Sequence, residues 1–402
     1  MRKRSLGVVF VIVAMDLIGF GLILPLLPLY ADKLGATPLF VGLLFSIYSL
    51  MQFLMNPFWG GVSDRFGRRP VILFSLAGST LSYLAYGSAE YLASTPEGTL
   101  AVLLGSRMVA GALGANITTS QAYVADLTTP ENRARGMGIV GAAIGLGFVV
   151  GPALGSLVTH SPILEAYGLG LAGYVGAVLC LGNLVGAWMW LGESHPPEKR
   201  GATGPRPNRL ATLSQTPTTW PILTSMLLVT MAFSQMESSF ALFGVKRFDL
   251  VPRDIGILFA YTGLVVVVMQ GGFTRPLVAR LGEARVVLSS GLVLGAGLLA
   301  MALAEDLSWV LIGLGLIGVG MGLAQPSLFS LLSRSAPSEN QGLVLGLGQS
   351  VSALARILGP AIGMSLFAQV SMRGPYWLGS AMMVGVVFMA LLLIRKPTPV
   401  NL

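Results

Sequence analysis

The sequence predicts an all-α integral membrane protein, with twelve transmembrane helices arranged as two pseudo-symmetric six-helix bundles. Three observations carry this. Hydrophobic residues make up 54% of the 402 and charged residues only 10%, far below the roughly 25% charge of a soluble domain. Apolar runs near twenty residues, the length that crosses a bilayer, recur along the whole chain. One local pattern also appears twice at half-chain spacing.

The expected helix cores are 6–30, 38–59, 71–90, 99–125, 137–159 and 167–192, then 219–245, 254–274, 285–304, 308–333, 342–372 and 375–394. Arg2, Lys3 and Arg4 precede the first run as they would in a signal peptide. That run is too long, holds Asp16 and has no small-residue cleavage site, so it is read as the first membrane helix. Residues 193–218, rich in Pro, Arg, Thr and Ser, divide the chain into bundles at 1–192 and 219–402 joined by a linker. The repeat supports that division. Pro130-Glu131-Asn132, Gly136 and Gly151-Pro152-Ala153-Leu154-Gly155 are echoed by Pro337-Ser338-Glu339-Asn340, Gly342 and Gly359-Pro360-Ala361-Ile362-Gly363, with the Gly-Pro pairs 208 residues apart. Membrane proline frees a backbone carbonyl, and flanking glycines admit a neighbouring helix. Gly147, Gly151, Pro152, Gly155, Gly359, Pro360 and Gly363 are therefore expected helix-packing positions. Such repeats put a substrate site at mid-membrane between the halves, with access alternating by rocking.

Of the 25 basic residues, 18 fall in connections on one side and 5 on the other, with Arg107 and Arg356 inside spans. The positive-inside rule then places both termini in the cytoplasm, and the net charge of +8 marks orientation instead of a nucleic-acid surface. Glycine, with 52 copies, suits close helix contacts. One cysteine, Cys180, allows no intrachain disulfide, and His160 and His195 both lie in connections.

Residues 60–70, Gly-Gly-Val-Ser-Asp-Arg-Phe-Gly-Arg-Arg-Pro, read as a loop between two spans. Asp64 is suited to cap a helix start, and Arg65, Arg68 and Arg69 to pair with acids or lipid headgroups. This string resembles the signature between the second and third helices of the major facilitator superfamily of secondary transporters. Arg107 through Gly111 to Gly114 resembles that family's arginine-glycine signature in helix 4. Gly147 through Gly155 is similar to the helix 5 signature of drug:proton antiporters, with Ser156 where its last glycine stands. Asp16 through Pro25 and Pro28 looks like the opening of tetracycline exporters, but the histidine of helix 8 and the acid of helix 9 that those use have no counterpart within 254–274 or 285–304. Met236-Glu237 and Ala353-Leu354-Ala355-Arg356 point to the tetracycline-transporter-like branch.

Asp16 and Glu237 are the acids deepest within apolar spans, where an ionised carboxylate is expensive and a functional role is the default expectation; they are candidates for proton coupling. Arg107 and Arg356 need an anion or carbonyl partner. Arg107 either tunes an acid's proton affinity or pairs structurally, and Arg356 is a substrate-contact candidate. By resemblance, Asp64, Arg65, Arg68, Arg69, Asp126, Arg133 and Arg135 form a charged cytoplasmic gate, and Ala279 in the second half marks a weaker copy. Asn116, Ser120 and Tyr123 share one face of helix 4. With Gln235, Phe240, Tyr261, Gln270 and Gln325 they are substrate-contact candidates.

No Gly-x-x-x-x-Gly-Lys-Ser/Thr string exists, since the five lysines precede Arg, Leu, Arg, Arg and Pro, which removes ATP-driven transport by a phosphate-binding loop. With no histidine in a span, an intramembrane enzyme is not expected. What the residues and the resemblance together imply is a monomeric, cofactor-free, proton-coupled antiporter of the inner (plasma) membrane. Its partners are amphipathic small molecules, protons and membrane lipids, and not nucleic acid. Uniport or symport of a metabolite or organic anion, and lipid or glycolipid transport, are the alternatives.

Overall fold

A computed structural model describes residues 2–159, 168–195, 219–335 and 341–395. Twelve helices in it are long and apolar enough to span a membrane, numbered here as spans 1 to 12. They are Ser5–Lys33, Pro38–Phe66, Arg68–Gly87, Pro96–Leu127, Gly136–Thr159 and Gly168–Trp190, then Thr219–Phe248, Pro252–Leu281, Glu283–Leu303, Leu307–Arg334, Val344–Gln369 and Gly374–Arg395. The side chains of Arg133 and Arg135, residues 196–218 and the echo at Pro337–Asn340 lie outside the described residues.

Two compact units form. One comprises Met1–Thr203 with Leu250–Ala260, the other Gly204–Asp249 with Tyr261–Leu402. Within the first unit, span 1 packs against spans 5 and 6, span 3 against 6, and spans 2 and 3 against 4. The second repeats much of this, with span 7 against 11 and 12, and span 9 against 10 and 12. Glycines set these approaches. A Cβ on Gly151 would lie 2.7 Å from the Gly21 Cα, and one on Gly155 2.9 Å from the Leu22 carbonyl oxygen; Gly147 faces Leu17 in the same seam. The counterpart seam joins spans 11 and 7. There, a Cβ on Gly359 would lie 2.9 Å from the Met231 carbonyl oxygen, and one on Gly363 2.9 Å from Gln235 Cγ. Pro152 and Pro360 sit inside their helices. Bulk at these glycines would push backbone from backbone, the geometry that favours small residues between membrane helices.

Three helices depart from regularity. Span 1 turns at Leu24–Leu26 before its final segment Leu27–Lys33. Span 4 breaks between Leu113 and Asn116. Span 8 contains a π-helical turn, Met269–Phe273, as π-turns within α-helices often do near sites of function.

The expected loop at 60–70 is not a loop. Span 2 stays helical through Phe66 and span 3 starts at Arg68, leaving Gly67 as the only break, at φ 106°. Glycine is required there because a side chain rarely adopts positive φ. Across that break Asp64, in the last turn of span 2, pairs with Arg68 at the start of span 3 and ties the two helix ends together. Gly282, at φ 81°, makes the matching break between spans 8 and 9.

Candidate functional site

The break in span 4 builds the site. Interrupting a membrane helix strips carbonyls of their partners, and in lipid these must be satisfied by protein. Three side chains do so. Trp59 Nε1 donates to the Ala112 oxygen at 2.7 Å, Gln52 Nε2 to the Gly114 oxygen at 3.4 Å, and Ser75 Oγ to the Leu113 oxygen. Ser75 Oγ also accepts from the Ala115 N–H at 3.0 Å. Gly111 lets the Tyr48 backbone approach closely from span 2.

Beside the break lies a small pocket within the first unit, to which each of spans 1 to 4 contributes residues about one helical turn apart. Span 1 gives Asp16 and Phe20, span 2 Tyr48 and Gln52, span 3 Ser79 and Tyr83, and span 4 Arg107, Ala110, Gly114 and Ile117. Asp16 Oδ1 accepts from Asn116 Nδ2 at 3.1 Å, and Ser79 also hydrogen-bonds its carboxyl. Arg107 is only 3% exposed, and its Nε and Nη2 have no hydrogen-bond partner. The rings of Tyr48, Tyr83 and Tyr86 surround it with centroids 5.9, 6.0 and 5.8 Å from Cζ. Cation–π contacts supply roughly 0.5–2 kcal/mol each, whereas removing a cation from water costs several kcal/mol. Arg107 thus retains capacity for an anion.

The second unit disperses its candidates. Glu237 interacts electrostatically with Arg356. Gln235 Nε2 contacts Met382 Sδ at 3.6 Å, and Gln325 Nε2 donates to Thr230 Oγ1 at 3.4 Å. Phe240 is fully buried, Tyr261 packs over Gly315, and Gln270 is exposed in the π-turn.

Of the helix 4 candidates, Asn116 reaches the cavity through Asp16, and Ser120 is fully buried without a partner. Tyr123 stands away from it, 1% exposed, with its hydroxyl donating to the Gly192 oxygen at 3.0 Å. Phe20, Tyr48, Gln52, Ser79 and Tyr83 escaped the sequence reading. Their four-residue spacing within each span was the available signal.

At one end of this unit, Arg68 is buried and bidentate, with Nη1 to Asp64 Oδ1 at 2.6 Å and Nε to Asp126 Oδ2 at 3.1 Å. Arg65 lies over the Phe66 ring, and Arg69 Nη2 donates to the Trp188 oxygen at 2.7 Å. The acid that caps span 3 is Glu193, not Asp64. Its carboxylate accepts from the Arg68 and Arg69 N–H groups at 2.9 and 3.2 Å and from the Ser194 and His195 N–H groups. Asp126 also accepts from Ser194 Oγ at 3.1 Å. Residues 193–195, expected in the linker, are therefore fastened to the bundle. In the second unit, Glu283 pairs with Arg334 at 2.7 Å and accepts from Ser330 Oγ. Span 9 begins two residues earlier than expected, so it does carry an acid, at its first turn. Among the described residues no three His, Cys, Asp or Glu side chains converge as metal ligands.

Twelve membrane-length helices in two glycine-seamed units, with polar groups held inside the bundles, define a multi-pass membrane transporter. The chain belongs to the Major Facilitator Superfamily, whose profile matches residues 9–360 and 272–402. It is 31% identical over 95% of its length to the tetracycline resistance protein, class C, of Escherichia coli, covering 94% of that protein. It is 29% identical over 92% of its length to multidrug resistance protein 2 of Bacillus subtilis, covering 90% of it. Among solved structures, the human organic anion transporter MFSD10 (TETRAN) superposes with a TM-score of 0.72 at 26% identity, over 97% of this chain and 99% of that one.

Proposed function

We propose that this protein is a proton-coupled antiporter that exports amphipathic small molecules across the plasma membrane by alternating access, with both termini cytoplasmic. The observation that carries the reading is Asp16, a membrane-embedded carboxylate lining a cavity beside a broken helix. An acid there exchanges charge state as the cavity changes its exposure to water. Glu237, beside Arg356, is the membrane-embedded acid of span 7 in the second unit and serves as the second proton-coupling group. The names of the drug-resistance relatives support export of drug-like molecules. Asp64, Arg65, Arg68, Arg69 and Asp126 would latch the cytoplasmic end, with Arg133 and Arg135 following in sequence.

The test is substrate movement driven by an imposed pH gradient in proteoliposomes. Asp16→Asn and Glu237→Gln preserve shape but cannot alternate between charged and neutral forms, so gradient-driven accumulation should disappear while the folded protein remains. Unaltered accumulation in the double variant would end the proton-coupling assignment.

A further inference from the structure

Asn116 holds Asp16 with one end of its amide and leaves the other end unused. Its Nδ2 donates to Asp16 Oδ1 at 3.1 Å, while its buried Oδ1 has no hydrogen-bond partner. The residue is only 1% exposed, and an unpaired acceptor at such a depth is costly. A second buried asparagine of the unit shows the ordinary arrangement. Asn183 Nδ2 donates at 2.9 Å to the Ile12 oxygen, a backbone carbonyl that can only accept, so one amide orientation serves it permanently. Asn116 instead faces a carboxyl, which only accepts when ionised and gains an O–H donor when protonated. The Asn χ2 torsion has broad, roughly two-fold wells, so a half-turn exchanges Nδ2 and Oδ1 at Asp16 with no change of shape.

We propose that Asn116 is the positioning residue of proton coupling. Its amide donates to Asp16 while that carboxylate is charged, and turns to accept from it once it is protonated. The acid therefore stays tied in both states to the first residue of the second segment of span 4, directly after the break. The inference rests on the transport reading of Asp16 and names the group that acts through it. Tyr48 of span 2, Tyr83 of span 3 and Arg107 of span 4 also face Asp16, with Cys180 acting from span 6, while span 5 meets span 1 through its glycine seam. Arg107 can only donate and offers a protonated carboxyl no acceptor. Ser79 also bonds the carboxyl, and its hydroxyl can turn either way, but it lies within the unbroken span 3.

The experiment is infrared difference spectroscopy of the purified full chain in detergent between alkaline and acidic buffers, with asparagine carrying ¹³C at the side-chain carbonyl. As pH falls, a carboxyl band should appear and one labelled amide carbonyl band should move to lower wavenumber, as a carbonyl does on accepting a hydrogen bond. Both changes should share one midpoint and vanish in Asp16→Asn, and the amide change should vanish in Asn116→Ser. Serine and alanine differ by one hydroxyl that both donates and accepts. Gradient-driven transport should therefore be about tenfold faster in Asn116→Ser than in Asn116→Ala, the effect of one buried hydrogen bond. A titrating Asp16 band beside an unchanged amide band overturns the proposal and leaves the coupling reading standing. An Asp16 band that does not titrate overturns both. Equal transport by the serine and alanine variants, where the wild type transports, also overturns the proposal. Coincident carboxyl and amide changes in a wild-type protein without gradient-driven transport sink only the transport reading. If Asn116→Ala does not fold, the infrared bands decide.

Discussion

Replacing Glu193 by alanine removes the cap of span 3 from outside that helix. Two backbone N–H groups of its first turn, those of Arg68 and Arg69, lose a charged acceptor at 2.9 and 3.2 Å. Loss of an N-cap costs ~0.5–2 kcal/mol, and the exposed position of Glu193 keeps the charged bonds from reaching their buried strength. An effect of about 1–2 kcal/mol follows, which for a unit near two hundred residues lowers the melting temperature by roughly 2–8 °C. Glu193→Gln keeps one acceptor oxygen and should lose about half as much. The assay is thermal unfolding of the detergent-solubilised protein, followed by intrinsic tryptophan fluorescence, to which Trp59, Trp188 and Trp190 of the first unit contribute. A Glu193→Ala melting temperature equal to wild type, or a glutamine variant less stable than the alanine one, would refute the capping argument.

Three further outcomes can be checked in the same way. Gly151→Ala and Gly359→Ala each place a methyl group against facing backbone, an overpacking cost of ~1–3 kcal/mol; Gly141→Ala, which meets open space, should be neutral or stabilising by up to ~1 kcal/mol. Equal stability of Gly151→Ala and Gly141→Ala would show that the seam tolerates bulk. Arg68→Ala, whose side chain is 9% exposed between two acids, should cost ~3–5 kcal/mol, and Arg334→Ala, 60% exposed, only ~0–1 kcal/mol; a double-mutant cycle with Asp126 and Glu283 measures both. Trp59→Phe leaves the Ala112 carbonyl unpaired at the break in span 4 and should cost about 1–3 kcal/mol, seen as faster hydrogen exchange near Ala115, whereas unchanged exchange would mean another group takes over that carbonyl.

The twelve spans were legible because length and hydropathy are local properties, and the glycine seams because the Gly-Pro element is written twice. The first cavity was legible only in Asp16, Arg107 and Asn116, polar groups conspicuous within apolar runs. Tyr48 and Tyr83 look like ordinary packing residues until four helices bring them together. The break after Leu113 left no trace in hydropathy, because Gly114 and Ala115 suit a membrane helix as well as a break in one; its cause lies in Trp59, Ser75 and Gln52 on other spans. Glu193 was read as linker because its partners are some 124 residues away.

The two paired ends carry opposite wiring. In the first unit the start of span 3 is the cation and the end of span 4 the anion, Arg68 to Asp126; in the second, the start of span 9 is the anion and the end of span 10 the cation, Glu283 to Arg334. A hybrid pairing of span 3 with span 10 would set arginine against arginine, and one of span 9 with span 4 glutamate against aspartate. As the chain emerges into the bilayer, duplicated segments with similar seams could otherwise dock with the wrong copy. With the polarity reversed between the copies, opposite charges meet only in the pairings the fold uses.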